Sequence, residues 1–444
     1  MTQRVVTRFA PSPTGLLHGG NYRTAVFAYL YAKKTGGEFI VRIEDTDRER
    51  SKKEYEDNIL ETLQWLGLKH DKFYRQSENA PRHQALLKEL IAKDLAYVSK
   101  EEPKEPGQRA EVIRFRNPKT TLTFTDVIRG PITVDTTDLG DFVIARSETE
   151  PVFHFAVVVD DADEGVTHVV RGEDHISNTP RQILIMQALG LPIPTYAHLP
   201  LVLGPDRTKL SKRRGAKALT QYRDEGYLPE ALINYLALLG WHPEGEQELF
   251  SVDELVQAFS LERIQKGSGI FDEVKLKWFN QEYLKRLSNE AFADQLKKYL
   301  DLRSPEYAGG RDIPALAPLI KDRAQTLGEA AEMLKNEFDF LDTEPAPTKE
   351  LLLQGAKAEA ADVSKHLEKV IETLSGMGDE SFTAEAVKEA VFPYATEVGR
   401  SAALWPMRVA LSGKEKSPDP FTLAGLLGRE KTLARLTKAL SVVK

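Results

Sequence analysis

The segment that most constrains the fold lies close to the N-terminus. Arg4 to Phe9 reads as a strand. His18 to Lys33 carries Tyr22, Ala25, Val26, Tyr29 and Leu30 at helical spacing, Gly36-Gly37 ends that helix, and Glu38 to Ile43 reads as a second strand. Strand, helix and strand in so short a stretch predict a right-handed βαβ unit in a parallel sheet. The connection into the helix is Arg8-Phe9-Ala10-Pro11-Ser12-Pro13-Thr14-Gly15-Leu16-Leu17-His18-Gly19-Gly20. A helix N-terminus offers free N–H groups and a positive dipole end, which suit phosphate. Gly20 lets a ligand approach the backbone closely, and His18 can donate to a phosphate oxygen. A histidine there can equally be a plain helix cap beside turn glycines, so this turn points to phosphate only in company.

That company is Lys209-Leu210-Ser211-Lys212-Arg213, which follows the turn Gly204-Pro205-Asp206. Lys209, Lys212, Arg213, Arg214 and Lys217 could form a solvated basic face. A mobile loop at this place could also bring Lys209 and Lys212 to a phosphate whose charge grows in the transition state, worth roughly a few kcal/mol per well-placed donor. Two more runs sit at predicted strand ends, Ile43-Glu44-Asp45-Thr46-Asp47 and Arg171-Gly172-Glu173-Asp174-His175. In doubly wound sheets the ligand crevice lies there. Glu44 is a candidate for an ammonium group, while Asp45 and Asp47 read as capping acids. Arg8 and Arg171 suit carboxylates, which guanidinium binds bidentately, unless an internal ion pair with Glu44 or Glu173 consumes them. Two arginines and one glutamate fit a dicarboxylic amino acid. His154, His168, His175 and His198 have no ligand-like spacing and read as ordinary, His175 being nearest the crevice.

The chain has 444 residues, 41% hydrophobic and 29% charged, as expected of two to four globular domains. Helix Ser51 onward carries Ile59, Leu60, Leu63 and Leu66 as its apolar stripe. Lys100 to Gly107 reads as a loop, with short β-like runs at Val112 to Phe115 and Gly130 to Val134. Strand Thr167 to Arg171, helix Thr179 to Leu189 and strand Leu199 to Leu203 then resume the α/β alternation. The fold class expected is a Rossmann-like doubly wound parallel sheet with an inserted α+β domain, followed by all-helical C-terminal domains. The expected boundaries are 1–82 and 156–208 for the split α/β domain, 83–155 for the insertion, 209–302 for the basic loop and the domain that follows it, and 303–444 for a helical region. Gly309-Gly310 and Glu344-Pro345-Ala346-Pro347 read as punctuation in the helical part. With no cysteine, disulfides and thiolate zinc sites are excluded, and a cytoplasmic setting is expected. No apolar run reaches the roughly 18–20 residues of a membrane span. The net charge of −7 argues against indiscriminate polyanion binding, though not against a local basic surface.

Taken together, these motifs resemble the bacterial glutamyl-tRNA synthetases, class I aminoacyl-tRNA synthetases, over nearly the whole chain. Arg8 to Gly20 is similar to the first family signature and Lys209 to Arg213 to the second, with Leu210 where Met is commoner. Ile43 to Asp47, Asn178-Thr179-Pro180-Arg181-Gln182, Gly226 to Leu232 and Trp405 to Gly413 also match. The resemblance implies glutamate contacts at Arg8, Ala10, Ser12, Glu44, Phe153 and Arg171, and ATP contacts at His18, Gly20, Asp174, Lys209, Ser211 and Lys212. Of these, His18, Gly20, Lys209 and Lys212 would serve catalysis. It further implies MgATP, L-glutamate and tRNA(Glu) as partners, tRNA-dependent activation and a monomer, with a catalytic domain at 1–82 and 156–208, acceptor-end binding by the insertion 83–155, the signature loop and stem contact in 209–302 and anticodon binding in 303–444. Arg213, Arg214 and Arg408 are candidate tRNA contacts.

Three departures stand out. Phe153 occupies the place of a usual Tyr, which removes a hydrogen bond of about 0.5–1.5 kcal/mol. Gly19 replaces a usual Ile or Val, an extra glycine expected to loosen the turn. Ser99 to Arg109 is a brief polar bridge where many relatives carry a zinc lobe, so no zinc is expected. Two other readings are an enzyme that glutamylates a modified base (queuosine) of a tRNA anticodon and a non-catalytic tRNA-binding paralogue. The retained His18, Glu44 and Lys212, and the tail beyond residue 310, count against them.

Overall fold

The computed structural model describes residues 4–101, 111–305 and 311–444. It divides into two compact units, Met1–Tyr283 and Leu284–Lys444. In the first, β1 (Val6–Phe9) runs parallel to β2 (Glu38–Ile43), and β3 (Lys72–Arg75) extends β2. Helices α1 (Gly19–Lys34) and α2 (Lys53–Trp65) make the connections. Of the apolar positions of α1 at helical spacing, Tyr22, Ala25, Val26 and Leu30 are buried and Tyr29 is half-buried. Gly37 allows a close crossing: a Cβ there would lie 2.2 Å from the Val5 carbonyl oxygen.

After β3 come α3 (Ala80–Ala92) and the strands β4 (Ala96–Lys100), β5 (Glu111–Phe115), β6 (Thr121–Asp126), β7 (Gly130–Asp135), β8 (Phe142–Ser147) and β9 (Glu150–Pro151). They go to two different sheets. β4, β5, β8 and β9 form an antiparallel sheet whose core includes Leu87, Ile113, Phe115 and Ile144. The β6–β7 hairpin instead extends the main sheet through one parallel pairing, Tyr196 with Asp126. The main sheet therefore takes two strands from within the predicted insertion. Most of the loop expected at Lys100 to Gly107, and the Gly309-Gly310 punctuation, lie outside the described residues.

Helix α4 (Phe153–Asp163) leads into β10 (His168–Gly172), α5 (Thr179–Leu189) and β11 (Thr195–Leu199). The strand expected at Leu199 to Leu203 is displaced: the sheet strand ends at Leu199, because Pro200 has no N–H to give the ladder. Val202–Leu203 pairs separately with Gly269–Ile270. The main sheet is ordered β3-β2-β1-β10-β11-β6-β7. Chain order reverses between β1 and β10, so the crevice opens at their carboxyl ends. The second unit contains only helices and turns among its described residues, from Asn289–Arg303 to Pro420–Val443. No helix of the described residues is long and apolar enough to cross a membrane.

Beneath the crevice, β2 and α4 are joined by a buried ion network. Arg42 is fully buried on β2. Its guanidinium lies 2.8 Å from Asp161, 2.6 Å from Glu164, 3.3 Å from Glu44 and 4.0 Å from Asp160. Asp160 also accepts from Gln76 and Asn79, each at 2.8 Å, and lies 2.7 Å from His83 Nε2. Two guanidiniums, Arg42 and Arg8, among four carboxylates leave excess negative charge in low dielectric, which favours proton uptake. Burial, opposed by Arg42, accordingly raises the Glu164 carboxyl from 4.5 to about 7.

Two outcomes follow from this packing. Gly37→Ala should lower the melting midpoint, with a loss of about 2 kcal/mol or more from the backbone shift its Cβ demands; an unchanged midpoint would count against the crossing described. An acid raised on folding stabilises fully below its unfolded pKa near 4.5, and that contribution is lost as pH rises through about 7. Glu164→Gln keeps an acceptor for Arg42 and cannot ionise. Urea unfolding should find it more stable than the wild-type chain by roughly 1–3 kcal/mol near pH 8 and equal near pH 4. The same difference at both pH values would contradict the proton uptake.

Candidate active site

The strand ends open into a cleft of about 810 Å³. Arg8, Ala10, Ser12, Glu44, Phe153 and Arg171 all line it, as do His18, Gly20, Asp174 and Lys209. The expected amino-acid contacts and most of the expected ATP contacts therefore share one cavity. Ser211 lies in a neighbouring cavity of about 350 Å³, which Lys209 also lines. The backbone of Lys212 is in the turn Lys212–Arg214, and its side chain is outside the described residues.

His18 is the N-cap of α1. Its Nδ1 accepts from the Gly20 N–H at 3.1 Å, while its own N–H donates to Asn21 Oδ1 at 3.1 Å. The plain-cap reading and the phosphate reading are thus compatible: a neutral imidazole accepting at Nδ1 carries its proton on Nε2, where it can donate. Gly20 permits this fold-back, since a Cβ would meet His18 Cε1 at 3.0 Å. Gly19 is buried, and a Cβ there would come within 2.8 Å of the Phe271 ring, so its size is set by packing.

The two arginines are held differently. Arg8 is buried and donates from Nε to Asp161 at 3.1 Å, so its internal partner is Asp161 instead of Glu44 or Glu173. Burial pushes the Asp161 carboxyl up, but Arg8 and Arg42 outweigh it and hold it below the usual carboxylate range. Arg171 meets no carboxylate among the described residues. It donates from Nε to His198 Nε2 at 3.1 Å and from Nη2 to Thr179 Oγ1 at 2.8 Å, and burial lowers its pKa to about 10. Among the described residues neither Arg8 Nη1 nor Arg171 Nη1 has a partner, and neither atom is sealed from the surface. Each can donate into the cleft. Glu44 is buried beside Arg42; burial raises its carboxyl, with Arg42 and Arg8 opposing. Glu173, the other expected acid, is occupied by Arg129 and the Leu201 N–H.

At the mouth, Lys209 Nζ pairs with Asp174 at 2.8 Å, and both side chains are about half exposed. The loop is a tight hairpin in which Gly204 N donates to Thr208 O at 2.8 Å and Leu210 N to Val202 O at 2.9 Å. Arg213 and Arg214 are exposed, Arg214 lying 3.7 Å from Asp206. In the helical unit, Arg408 stacks 4.7 Å over Trp405 and donates to the Glu415 carbonyl, so it is partly spent on its own helix end. His175, read as ordinary, lines the cleft beside the Phe153 ring at 5.6 Å, and burial drops its pKa to about 4. The sequence reading missed Arg42, Asp126, Asp161 and the role of His198. Arg42 carried one usable signal, a charged residue inside an otherwise apolar strand.

Residues 4–111 and 100–278 match the family model for the catalytic domain of class I tRNA synthetases (E and Q), and residues 291–440 match an anticodon binding domain. Among solved structures, the chain is similar to a glutamate tRNA ligase from Elizabethkingia meningosepticum in complex with its amino acid. The TM-score is 0.85 at 32% identity, covering 100% of both chains. It is also similar to a glutamate-tRNA synthetase from Elizabethkingia anophelis, with a TM-score of 0.83 at 31% identity, over 99% of this chain and 100% of the other. With a matching catalytic domain, a matching anticodon-binding domain and a cleft at the sheet's switch point, the chain belongs to the class I aminoacyl-tRNA synthetases of the E and Q family.

Proposed function

We propose that the chain attaches L-glutamate to tRNA(Glu) in two steps. The observation that carries this reading is that one cleft is lined by one buried glutamate and by two buried arginines whose Nη1 atoms have no partner among the described residues. Arg8 and Arg171 hold the substrate carboxylates, and Glu44 takes its ammonium, whose charge would draw that carboxyl into the ionised state. Ala10, Ser12 and Phe153 shape the rest of the pocket. The cap of α1 receives ATP, with His18 Nε2–H and the N–H groups near Gly20 directed to phosphate. Magnesium arrives with the triphosphate as part of the substrate.

In the first step an oxygen of the glutamate α-carboxylate attacks the α-phosphorus. The bond to the β-phosphate breaks, giving glutamyl-adenylate and pyrophosphate. Lys209, Lys212 and Ser211 stabilise the charge that grows on the phosphates, which requires Lys209 to exchange Asp174 for phosphate. In the second step the 2′-hydroxyl of the terminal adenosine attacks the adenylate carbonyl, and AMP leaves. Arg213, Arg214 and Arg408 contribute to tRNA contact, and the first step requires tRNA.

Charging of tRNA(Glu) and tRNA(Gln) transcripts tests the reading, because such transcripts carry no modified base. Glutamate should be esterified to tRNA(Glu), and His18→Ala and Lys212→Ala should each cut the rate by about a hundredfold or more. Full activity in both variants would remove these residues from the mechanism; absence of charging with either tRNA would favour the enzyme that glutamylates a modified base or a non-catalytic binder. Free glutamine should be a poor substrate, with kcat/KM lower by a factor of the order of a hundred or more, since its amide cannot form the charge-assisted pair. Comparable use of glutamine would contradict the two-arginine pocket.

A further inference from the structure

We propose that His198 and Asp126 are positioning residues for Arg171, and that they do so without neutralising its charge. The inference rests on the reading that Arg171 holds a carboxylate of the substrate. Neither residue lines the cleft; both are buried behind it.

Arg171 can only donate. Its Nε lies 3.1 Å from His198 Nε2, so that ring nitrogen must present its lone pair. The proton of the neutral ring is then on Nδ1, which faces Asp126 Oδ2 at 2.7 Å. Asp126 is itself immobilised. Its Oδ1 accepts from the N–H groups of Ile128 at 2.9 Å and Arg129 at 2.8 Å, and its Oδ2 also accepts from the His198 N–H at 3.0 Å. The carboxylate selects the tautomer, the tautomer supplies the acceptor, and the acceptor aims the guanidinium. Tyr196 completes the frame, stacked 5.7 Å from the His198 ring with Arg171 5.2 Å over its own. Burial also lowers the His198 pKa below its ordinary value, in keeping with a neutral ring.

The choice of a neutral acceptor has an electrostatic consequence. Arg8 shares Asp161 with Arg42, so its charge is already balanced. Arg171 contacts no carboxylate among the described residues, and its positive charge is left for a ligand in the cleft. A carboxylate in place of His198 would consume it. Asp126 also stands at the single point where β6 pairs with β11, so the β6–β7 hairpin is tied to the orientation of Arg171.

The test is charging of tRNA(Glu) by the full chain, with glutamate and ATP varied separately in His198→Phe, His198→Gln, Asp126→Asn and Arg171→Ala. His198→Phe should raise the glutamate KM about tenfold or more, while the ATP KM stays within about twofold, because the ring's bonds to Arg171, Thr179 and Asp126 all belong to the frame around Arg171. His198→Gln should recover much of the loss, since its amide oxygen can accept from Arg171 Nε. Asp126→Asn should behave like His198→Phe, because an N–H facing Nδ1 forces the ring proton onto Nε2, against Arg171. Should Asp126→Asn fail to fold, the Phe and Gln pair decides. An unchanged glutamate KM in His198→Phe, or Gln no better than Phe at a wild-type melting midpoint, overturns the inference. If Arg171→Ala raises the glutamate KM and His198→Phe does not, the inference alone is wrong. If Arg171→Ala leaves it unchanged, the assignment of Arg171 to the substrate fails and the inference falls with it.

Discussion

The buried guanidinium of Arg42 is the interaction on which the site depends. It sits on β2 with no exposure and draws Glu44, Asp160, Asp161 and Glu164 around it. Without that cation, the carboxylates gathered where α4 meets the sheet would repel one another in low dielectric. Through Asp161 the network orients Arg8, and through Glu44 it reaches the cleft wall. Through Asp160 it holds Gln76, Asn79 and His83. Arg42 thus links structure to site without lining the cavity.

The same cleft places two arginines in contrasting fields. Arg8 is inside the acidic network and balanced by it, while Arg171 is supported by a histidine, a threonine hydroxyl and an aromatic face, all neutral. A pocket built this way distributes charge unevenly, negative toward Glu44 and positive toward Arg171. On the proposed reading, an amino acid with an ammonium at one end and a carboxylate at the other would be oriented by that asymmetry before any specific hydrogen bond is counted. The α1 N-terminus, capped by His18, adds the positive dipole end where a triphosphate would lie.

Much of this was legible in the sequence because the residues belong to short segments with their own local logic. Arg8, Glu44 and Arg171 stand at the ends of apolar runs, and a run that ends in a charge at a turn marks where a strand delivers a side chain to the crevice. His18 precedes glycines at a helix start. The fold class followed from periodicity. Other features depended on partners distant in the chain. Asp160 and Asp161 are 118 and 119 residues from Arg42, Asp126 is 72 from His198, and no local pattern distinguishes them from surface acids. The displaced strand at Thr195–Leu199 has a similar origin, because an apolar run spanning Pro200 does not reveal which side of the proline will pair. Gly19 is a third instance: its size is set by Phe271, far along the chain.

The sequence by itself determined the kind of chain this is: a βαβ start with a glycine-rich helix entry, a basic loop after a strand, charges at strand ends and a helical tail. These are local properties, because backbone geometry and apolar periodicity act over a few residues. Only the tertiary structure decided which charges neutralise one another. It placed Arg8 with Asp161, Lys209 with Asp174 and Arg171 with His198. It also moved the β6–β7 hairpin from the insertion to the main sheet. Electrostatic interaction depends on distance and burial in space, and both are fixed only when the sheet and its helices have packed.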